Sequence, residues 1–317
     1  MHARSHFHSR LDARAGIKYT GHIQADVNDI RFGFFGELGY GLLGWWPFIK
    51  HIQESGGFPV KTAGLPGSGA FLQFSADHLE IDVATGNMWG SRSQLIQAAK
   101  HIDEPLLVAP LHARGPSAQP MTVNGRVWKH NTIHQLPVES NYAPLAFSAT
   151  EHLACGIRDT PYVLVNHKDY FNWGNTSITN AYSTSDLVLI RDWADRNGFV
   201  VLYNRFPAPN EPSNLYFDTS KLDSLVSSAG FIDLGPIYGD LETLTERNRL
   251  QLAYMLEARH IFATQGGNAV ISLMSRTPTT VLMRGGFDYP DYLGVSNLYE
   301  VDLSVVYDLS HSLRALC

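Results

Sequence analysis

From about residue 156 onward, short apolar runs alternate with amphipathic segments, and this rhythm restricts the possible folds more than any other feature of the chain. "PYVLVNH" reads as a strand, followed by a polar loop and the helix "STSDLVLIRDWADRNG". "FVVLYNRF" is the next strand, and "DTSKLDSLVSSAG" is a helix closed by Gly230. "FIDLG" is a strand, and "TLTERNRLQLAYMLEARH" is a helix opened by a capping box, Thr243 with Glu246 three residues on. "IFAT", "NAVISLMSR" and "TTVLM" continue as strand, helix and strand. Strands that alternate with helices predict a parallel, doubly wound sheet.

The first half repeats the rhythm less cleanly. Residues 1–29 carry no sustained period. "IRFGFF" (30–35) is β-rich and leads through the turn "GELGYG" into the aromatic helix "LLGWWPFIKHIQESGG". Pro47 either kinks or restarts that helix, and Gly56-Gly57 stops it. "FLQF" and "LEIDV" look like short strands, "SRSQLIQAAKHID" like a helix opened by Ser91 or Ser93, and "PLLVAP" (105–110) like a strand. Residues 111–150, rich in proline, asparagine, serine and histidine, read as long loops with irregular strands. A chain of 317 residues is long for one α/β layer. The expected architecture is α/β, with two Rossmann-like domains at 1–150 and 151–317 facing each other across a cleft. The helix-like end "VDLSVVYDLSHSLRAL" is expected to pack back on the first domain.

Composition narrows the function. There are 24 basic and 30 acidic residues, a net charge of −6, and no lysine or arginine cluster, so a nucleic-acid footprint is missing. A local phosphate site remains compatible with that charge. The two cysteines, Cys155 and Cys317, make no disulfide framework, which fits a reducing, cytoplasmic setting. No apolar run is long enough for an integral membrane segment, and "MHARSHFHSR" lacks the apolar region of a secretory signal. Its histidines fit a solvated terminus better than a metal site. The phosphate-loop, zinc-protease, C-x-x-C and nucleophile-elbow motifs are all absent, and Gly36-Glu37-Leu38-Gly39-Tyr40-Gly41 is not the dinucleotide fingerprint.

In open α/β sheets, ligands sit beyond the carboxyl ends of the strands. In the second half that rule selects Asn166-His167-Lys168, Asn204-Arg205, Pro236-Ile237-Tyr238, Thr264 to Asn268, and Arg284-Gly285-Gly286. Lys168, Arg205 and Arg284 are therefore expected on one rim, beside the helix that opens at Gly266-Gly267. The N–H groups of a helix start favour a phosphate, and glycine lets the phosphate approach. The same glycines are also explained by a tight turn alone, and both readings stand.

Domain pairing, lack of a metal motif and a glycine turn before the penultimate helix resemble the GT-B glycosyltransferases. "FATQGGNAVISLMSRTPTTVLM" is similar to the donor side of heptosyltransferase-like and related bacterial polysaccharide enzymes. "FGFFGELGYGLLGWWPFIKHI" resembles their first strand, loop and helix, and "PYVLVNHKDYFNWGNTSITN" with "FVVLYNR" resembles the first strands of their nucleotide-sugar domain.

The resemblance implies a metal-independent, inverting transfer of a sugar from a nucleotide-activated donor to a glycan or other hydroxyl acceptor. The nucleotide sugar would act as co-substrate, with no cofactor. It implies that Gly266, Gly267 and Asn268 meet the donor diphosphate with Lys168 and Arg205, that Ile237 and Tyr238 lie near the nucleoside, and that Glu37 is the base. Many relatives carry Asp where this chain has Glu37, and a helix-start carboxylate favoured by the dipole explains Glu37 as well. Gly36, Gly39, Tyr40, Trp45, His167 and Trp173 are cleft or acceptor candidates. Against these roles stand a core tryptophan for Trp45 or its neighbour Trp46, a backbone-bonded loop histidine for His167, and a loop-stabilising role for Trp173. "DYPDY" (288–292) suits sugar hydroxyls but is expected as a surface turn. A nucleotide-sugar epimerase and a non-catalytic glycan- or nucleotide-binding module are the alternatives.

Overall fold

The computed structural model describes residues 30–34, 41–82, 102–104, 106–108, 121–123, 126–128, 143–148, 157, 160–168, 170–171, 180–205, 215–216, 220–228, 230–284, 289–310 and 313. The chain divides into two units, Met1–Ala146 and Phe147–Cys317.

The first unit holds a parallel sheet of β1 (Arg31–Phe34), β2 (Lys61–Gly64), β3 (Asp77–Glu80) and β4 (Leu106–Val108), in the order β3-β2-β1-β4. A π-helical turn, Gly41–Trp45, feeds α1 (Trp46–Gly56). Pro47 restarts the helix rather than kinking it, because in a first turn its missing N–H has no partner to lose. Gly57 ends α1 at φ 67°, and its N–H donates to the Gln53 carbonyl at 2.8 Å.

Arg31 pins the sheet from beneath. Its guanidinium donates to Asp77 at 2.5 Å, to Glu104 at 2.9 Å and to the Thr62 carbonyl at 2.8 Å, which ties β1 to β2, β3 and the approach to β4. "FLQF" is not a strand. Gly67, at φ 88°, turns the chain into a 3-10 segment, Ser68–Phe71, whose Gly69 N–H donates to Glu80 at 2.8 Å. Nearly all of "SRSQLIQAAKHID" lies outside the described residues. A short antiparallel ribbon, β5 (Met121–Val123) with β6 (Arg126–Trp128), follows.

The second unit is a six-stranded, wholly parallel sheet. Its strands are β7 (Tyr162–His167), β9 (Val200–Arg205), β11 (Phe231–Asp233), β12 (His260–Thr264), β13 (Thr279–Leu282) and β14 (Leu303–Val306). A two-stranded ribbon, β8 (Tyr170–Phe171) with β10 (Leu215–Tyr216), lies between them in sequence. The helices are α2 (Thr184–Arg196), α3 (Ser220–Ser228), α4 (Gly235–Gly239), α5 (Leu244–Glu257), α6 (Gly267–Met274) and α7 (Tyr289–Tyr299). The expected capping box on α5 is present, and a second one, Ser183 with Asp186, opens α2.

The central strands read as unbroken apolar runs because helices cover both faces. On one face Val163, Val165, Val201 and Tyr203 pack with Leu187, Ile190 and Trp193 of α2. The end of the chain differs from the expected helix: Leu303–Val306 is the edge strand β14, and Leu309 and Leu313 join the core of this unit. Within "DYPDY", Tyr289–Tyr292 form the first turn of α7 rather than a loop turn, with Pro290 at the second helical position, one that tolerates proline, and Tyr292 buried. Among the described residues, no helix is long and apolar enough to cross a membrane.

Candidate functional site: the glycine turn before α6

The strand order β11-β9-β7-β12-β13-β14 places the site. The chain steps outward from β7 through β9 to β11, then crosses to β12 and steps outward the other way. The winding therefore reverses between β7 and β12. At such a switch point the connections leave in opposite directions and open a crevice at the carboxyl ends. Lys168 follows β7 directly, and Gln265-Gly266 follows β12.

Gly266 has φ +127° and ψ −163°, a backbone region closed to residues with a side chain. Its N–H donates to the Tyr292 hydroxyl at 2.8 Å, and Tyr292 is 1% exposed, so α7 anchors the turn from behind. The Gly266 carbonyl accepts from Ala269 at 3.0 Å and begins α6. The N–H groups of Gly267 and Asn268 form no hydrogen bond among the described residues. A Cβ placed on Gly267 would meet nothing within 4 Å, whereas one on Gly266 would lie 3.6 Å from the Lys168 Nζ. Two outward amides, a helix start and an ammonium group thus share one point of the rim.

The three rim cations do not act alike. Arg284 is locked into the start of α2, donating to Asp186 at 2.6 Å and to the Ala181 carbonyl at 2.8 Å. Its own N–H donates to Asn180 at 2.7 Å, and Asn180 also bonds Gln265. Arg205 pairs with Asp223 and lies over the Tyr203 ring, 5.6 Å from its centroid. Lys168 is the rim cation that stands beside the glycine turn.

Several candidates turn inward instead. His167 is fully buried; its Nδ1 bonds the Tyr203 hydroxyl, and its ring lies 5.7 Å from that of Tyr182. Burial pushes its imidazole down to about 3, so it is neutral and enclosed rather than a cleft or acceptor residue. Strand alternation is the reason: His167 shares a face with Val163 and Val165, and that face is the core.

Tyr238 is buried, and its N–H donates to the carbonyl of Leu234, the buried residue that caps the start of α4. Burial also raises its phenol pKa well above the usual value. Its ring therefore presents no surface to a nucleoside, while Ile237 beside it is half-buried. Trp45 and Trp46 are 5% and 1% exposed, which makes both of them core and removes Trp45 as an acceptor-stacking surface. Glu37, Gly36, Gly39, Tyr40 and Trp173 lie outside the described residues. Tyr292, which anchors the turn, is hidden in the sequence because the proline and two aspartates of "DYPDY" imitate a turn. Among the described residues, no three His, Cys, Asp or Glu side chains are grouped as metal ligands.

No protein-family model and no curated protein matches this sequence. Solved structures do match. The glycosyl transferase family 9 protein from Veillonella parvula superposes with a TM-score of 0.55 at 14% identity, covering 92% of this chain and 90% of that one. E. coli heptosyltransferase WaaC, solved with ADP, superposes with a TM-score of 0.53 at 14% identity, covering 90% and 97%. Against the dodecameric iron-containing heptosyltransferase TibC the TM-score is 0.48 at 12% identity, and the chain spans 61% of that protein's length. With its parallel sheets and the winding reversal at Lys168 and Gly266, the chain has the fold of the heptosyltransferase-like GT-B glycosyltransferases.

Proposed function

We propose that the protein transfers a sugar from a nucleotide-activated donor to a hydroxyl acceptor. The observation that carries this reading is the pair of amides at Gly267 and Asn268, unbonded among the described residues, next to Lys168 and at the switch point of the sheet. Fixed N–H donors and an ammonium group suit the charge that grows on a departing nucleoside diphosphate. E. coli WaaC, which shares the fold, was solved with ADP.

In this mechanism a carboxylate, for which Glu37 is the candidate, takes the proton of the acceptor hydroxyl as its oxygen attacks the anomeric carbon. The bond from that carbon to the diphosphate oxygen breaks on the opposite side, and the configuration inverts. The diphosphate leaves with its electron pair, and its charge is met by the two amides and Lys168 without a metal. Arg205, already paired with Asp223, is a secondary partner, and Ile237 is the nucleoside contact that burial leaves in place.

The first test is a panel of nucleotide sugars, incubated with and without hydroxyl acceptors. Acceptor-dependent nucleotide release with an inverted product, read by NMR, supports transfer. Isomerisation of the sugar alone makes the protein an epimerase, and binding without turnover makes it a binding module. Glu37→Gln is expected to abolish transfer while donor affinity survives, and turnover in that variant removes Glu37 from the mechanism. In calorimetry, Gly267→Val is expected to weaken nucleoside diphosphate binding about tenfold or more, because the protein itself leaves room for the new side chain. Unchanged affinity would move the diphosphate elsewhere.

A further inference from the structure

Behind the glycine turn, a chain of hydrogen bonds crosses the sheet. Asn204 of β9 donates through Nδ2 to the Oδ1 of Asn166 on β7 at 2.7 Å. Asn166 donates through Nδ2 to the Ser272 hydroxyl on α6 at 2.9 Å, and Ser272 donates to the Asn268 carbonyl at 2.7 Å. The Thr264 hydroxyl at the end of β12 reaches the Asn166 carbonyl at 3.4 Å. All four side chains are 0% exposed.

The direction of the chain is set by its last link. The Ser272 hydroxyl gives its proton to a carbonyl, so its oxygen must receive one from Asn166, and Asn166 Oδ1 in turn receives from Asn204. The three side-chain donors of Asn204, Asn166 and Ser272 thus run in one direction, toward the start of α6, while Thr264 braces the Asn166 carbonyl from β12. Asn166 and Lys168 lie two residues apart in sequence, so at strand periodicity they would emerge on the same side.

We infer that Asn166 and Ser272 are positioning residues for a diphosphate ligand: they lock the first turn of α6 to the strand end that presents Lys168, so that amides and ammonium meet the ligand in one fixed geometry. This rests on the donor-site reading above. Four fully buried polar side chains are not what stability alone selects. A buried hydrogen-bonded pair contributes modestly, and apolar residues of similar shape serve the core nearly as well. What the polar chain adds is direction. It couples β7, β9 and β12 to the residue whose N–H faces outward, and preorganised donors bind without reorganisation on arrival of the ligand.

The test compares the full-length wild type with Asn166→Ala, Ser272→Ala and Ser272→Thr. Calorimetry measures inorganic pyrophosphate, ADP, UDP and GDP against the plain nucleosides adenosine, uridine and guanosine, and thermal melts report folding. The expected result is a diphosphate affinity about tenfold weaker in Asn166→Ala and in Ser272→Ala, with nucleoside affinity held and Ser272→Thr restored, since it keeps the hydroxyl. The double variant is expected to lose no more than the single ones, because both break the same chain.

A folded Ser272→Ala that binds diphosphate like wild type overturns the inference, as does an equal loss for diphosphate and nucleoside. Should Ser272→Ala not fold, Asn204→Ser, which opens the far end of the chain, is read the same way. Loss of affinity in Gly267→Val but not in Ser272→Ala overturns this inference alone. A wild type that binds none of the diphosphates overturns both this inference and the donor site.

Discussion

The two parallel sheets treat their polar groups in opposite ways. In the first, the guanidinium of Arg31 is wholly engaged with Asp77, Glu104 and backbone carbonyls, and its product is a braced strand. In the second, the carboxyl edge between β7 and β12 ends in two amides that nothing in the described chain accepts from, with an ammonium group beside them. The difference lies in where donors outnumber acceptors. A closed network holds a fold together, and the open edge is where we propose that a ligand sits.

Substitutions can break or sharpen that contrast. The largest expected effect is at Arg31: Arg31→Met should destabilise the first sheet by about 3 kcal/mol in urea titrations, because the buried Thr62 carbonyl loses its donor and the partly exposed Asp77 and Glu104 lose their shared ion pair. A loss well below that would mean the carboxylates, which partly reach solvent, make the bracing unnecessary. Next comes Gly266→Ala, expected to lower stability by about 2 kcal/mol, since the strain lies in the backbone and the new Cβ meets no hard obstacle.

A third effect, of pH rather than of one substitution, concerns both sheets together. His78, in the first sheet, and His260, in the second, are each lowered to about 4, chiefly by burial, and His167 to about 3. The unfolded chain takes up protons near 6.5, where the folded chain does not, so stability is complete above that value and falls as pH drops toward 4. The urea midpoint should therefore drop between about pH 7 and about pH 5, and His78→Gln should flatten that slope. A midpoint independent of pH would mean that these rings are hydrated.

The smallest effect is the sharpest probe of the open edge. Gly267→Ala should change stability by less than about 0.5 kcal/mol, because it sits at a helix start with space around it. Neighbouring glycines should thus separate: Gly266 is set by backbone geometry, whereas Gly267 has no conformational need for glycine.

Much of the second unit was legible because its elements announce themselves locally. The capping box at Thr243, the apolar run Tyr162–Val165 and the stop at Gly230 each depend on residues a few positions apart. The misread elements depended on distant partners. "FLQF" is bent by Gly67 and by the Glu80 carboxylate, and "VDLSVV" becomes a strand because β13 offers it an edge. At the site, the glycine turn and Lys168 could be found from sequence, since the loops after parallel strands can be counted. Tyr292 and the Asn204–Asn166–Ser272 chain could not, because they join residues up to 106 positions apart.

By itself, then, the sequence determined the alternation of strand and helix, the parallel sheet that follows from it, and the rim on which Lys168 and Gly266 would emerge. These follow from local periodicity and from the rule that parallel strands need crossovers. Tertiary structure alone decided which polar groups are used up within the chain. Whether Arg284 faces a ligand or Asp186, and whether His167 opens outward or closes on Tyr203, turns on side chains brought within hydrogen-bond reach only when the sheet is assembled. Desolvation then favours pairing any polar group that finds a partner as the sheet assembles.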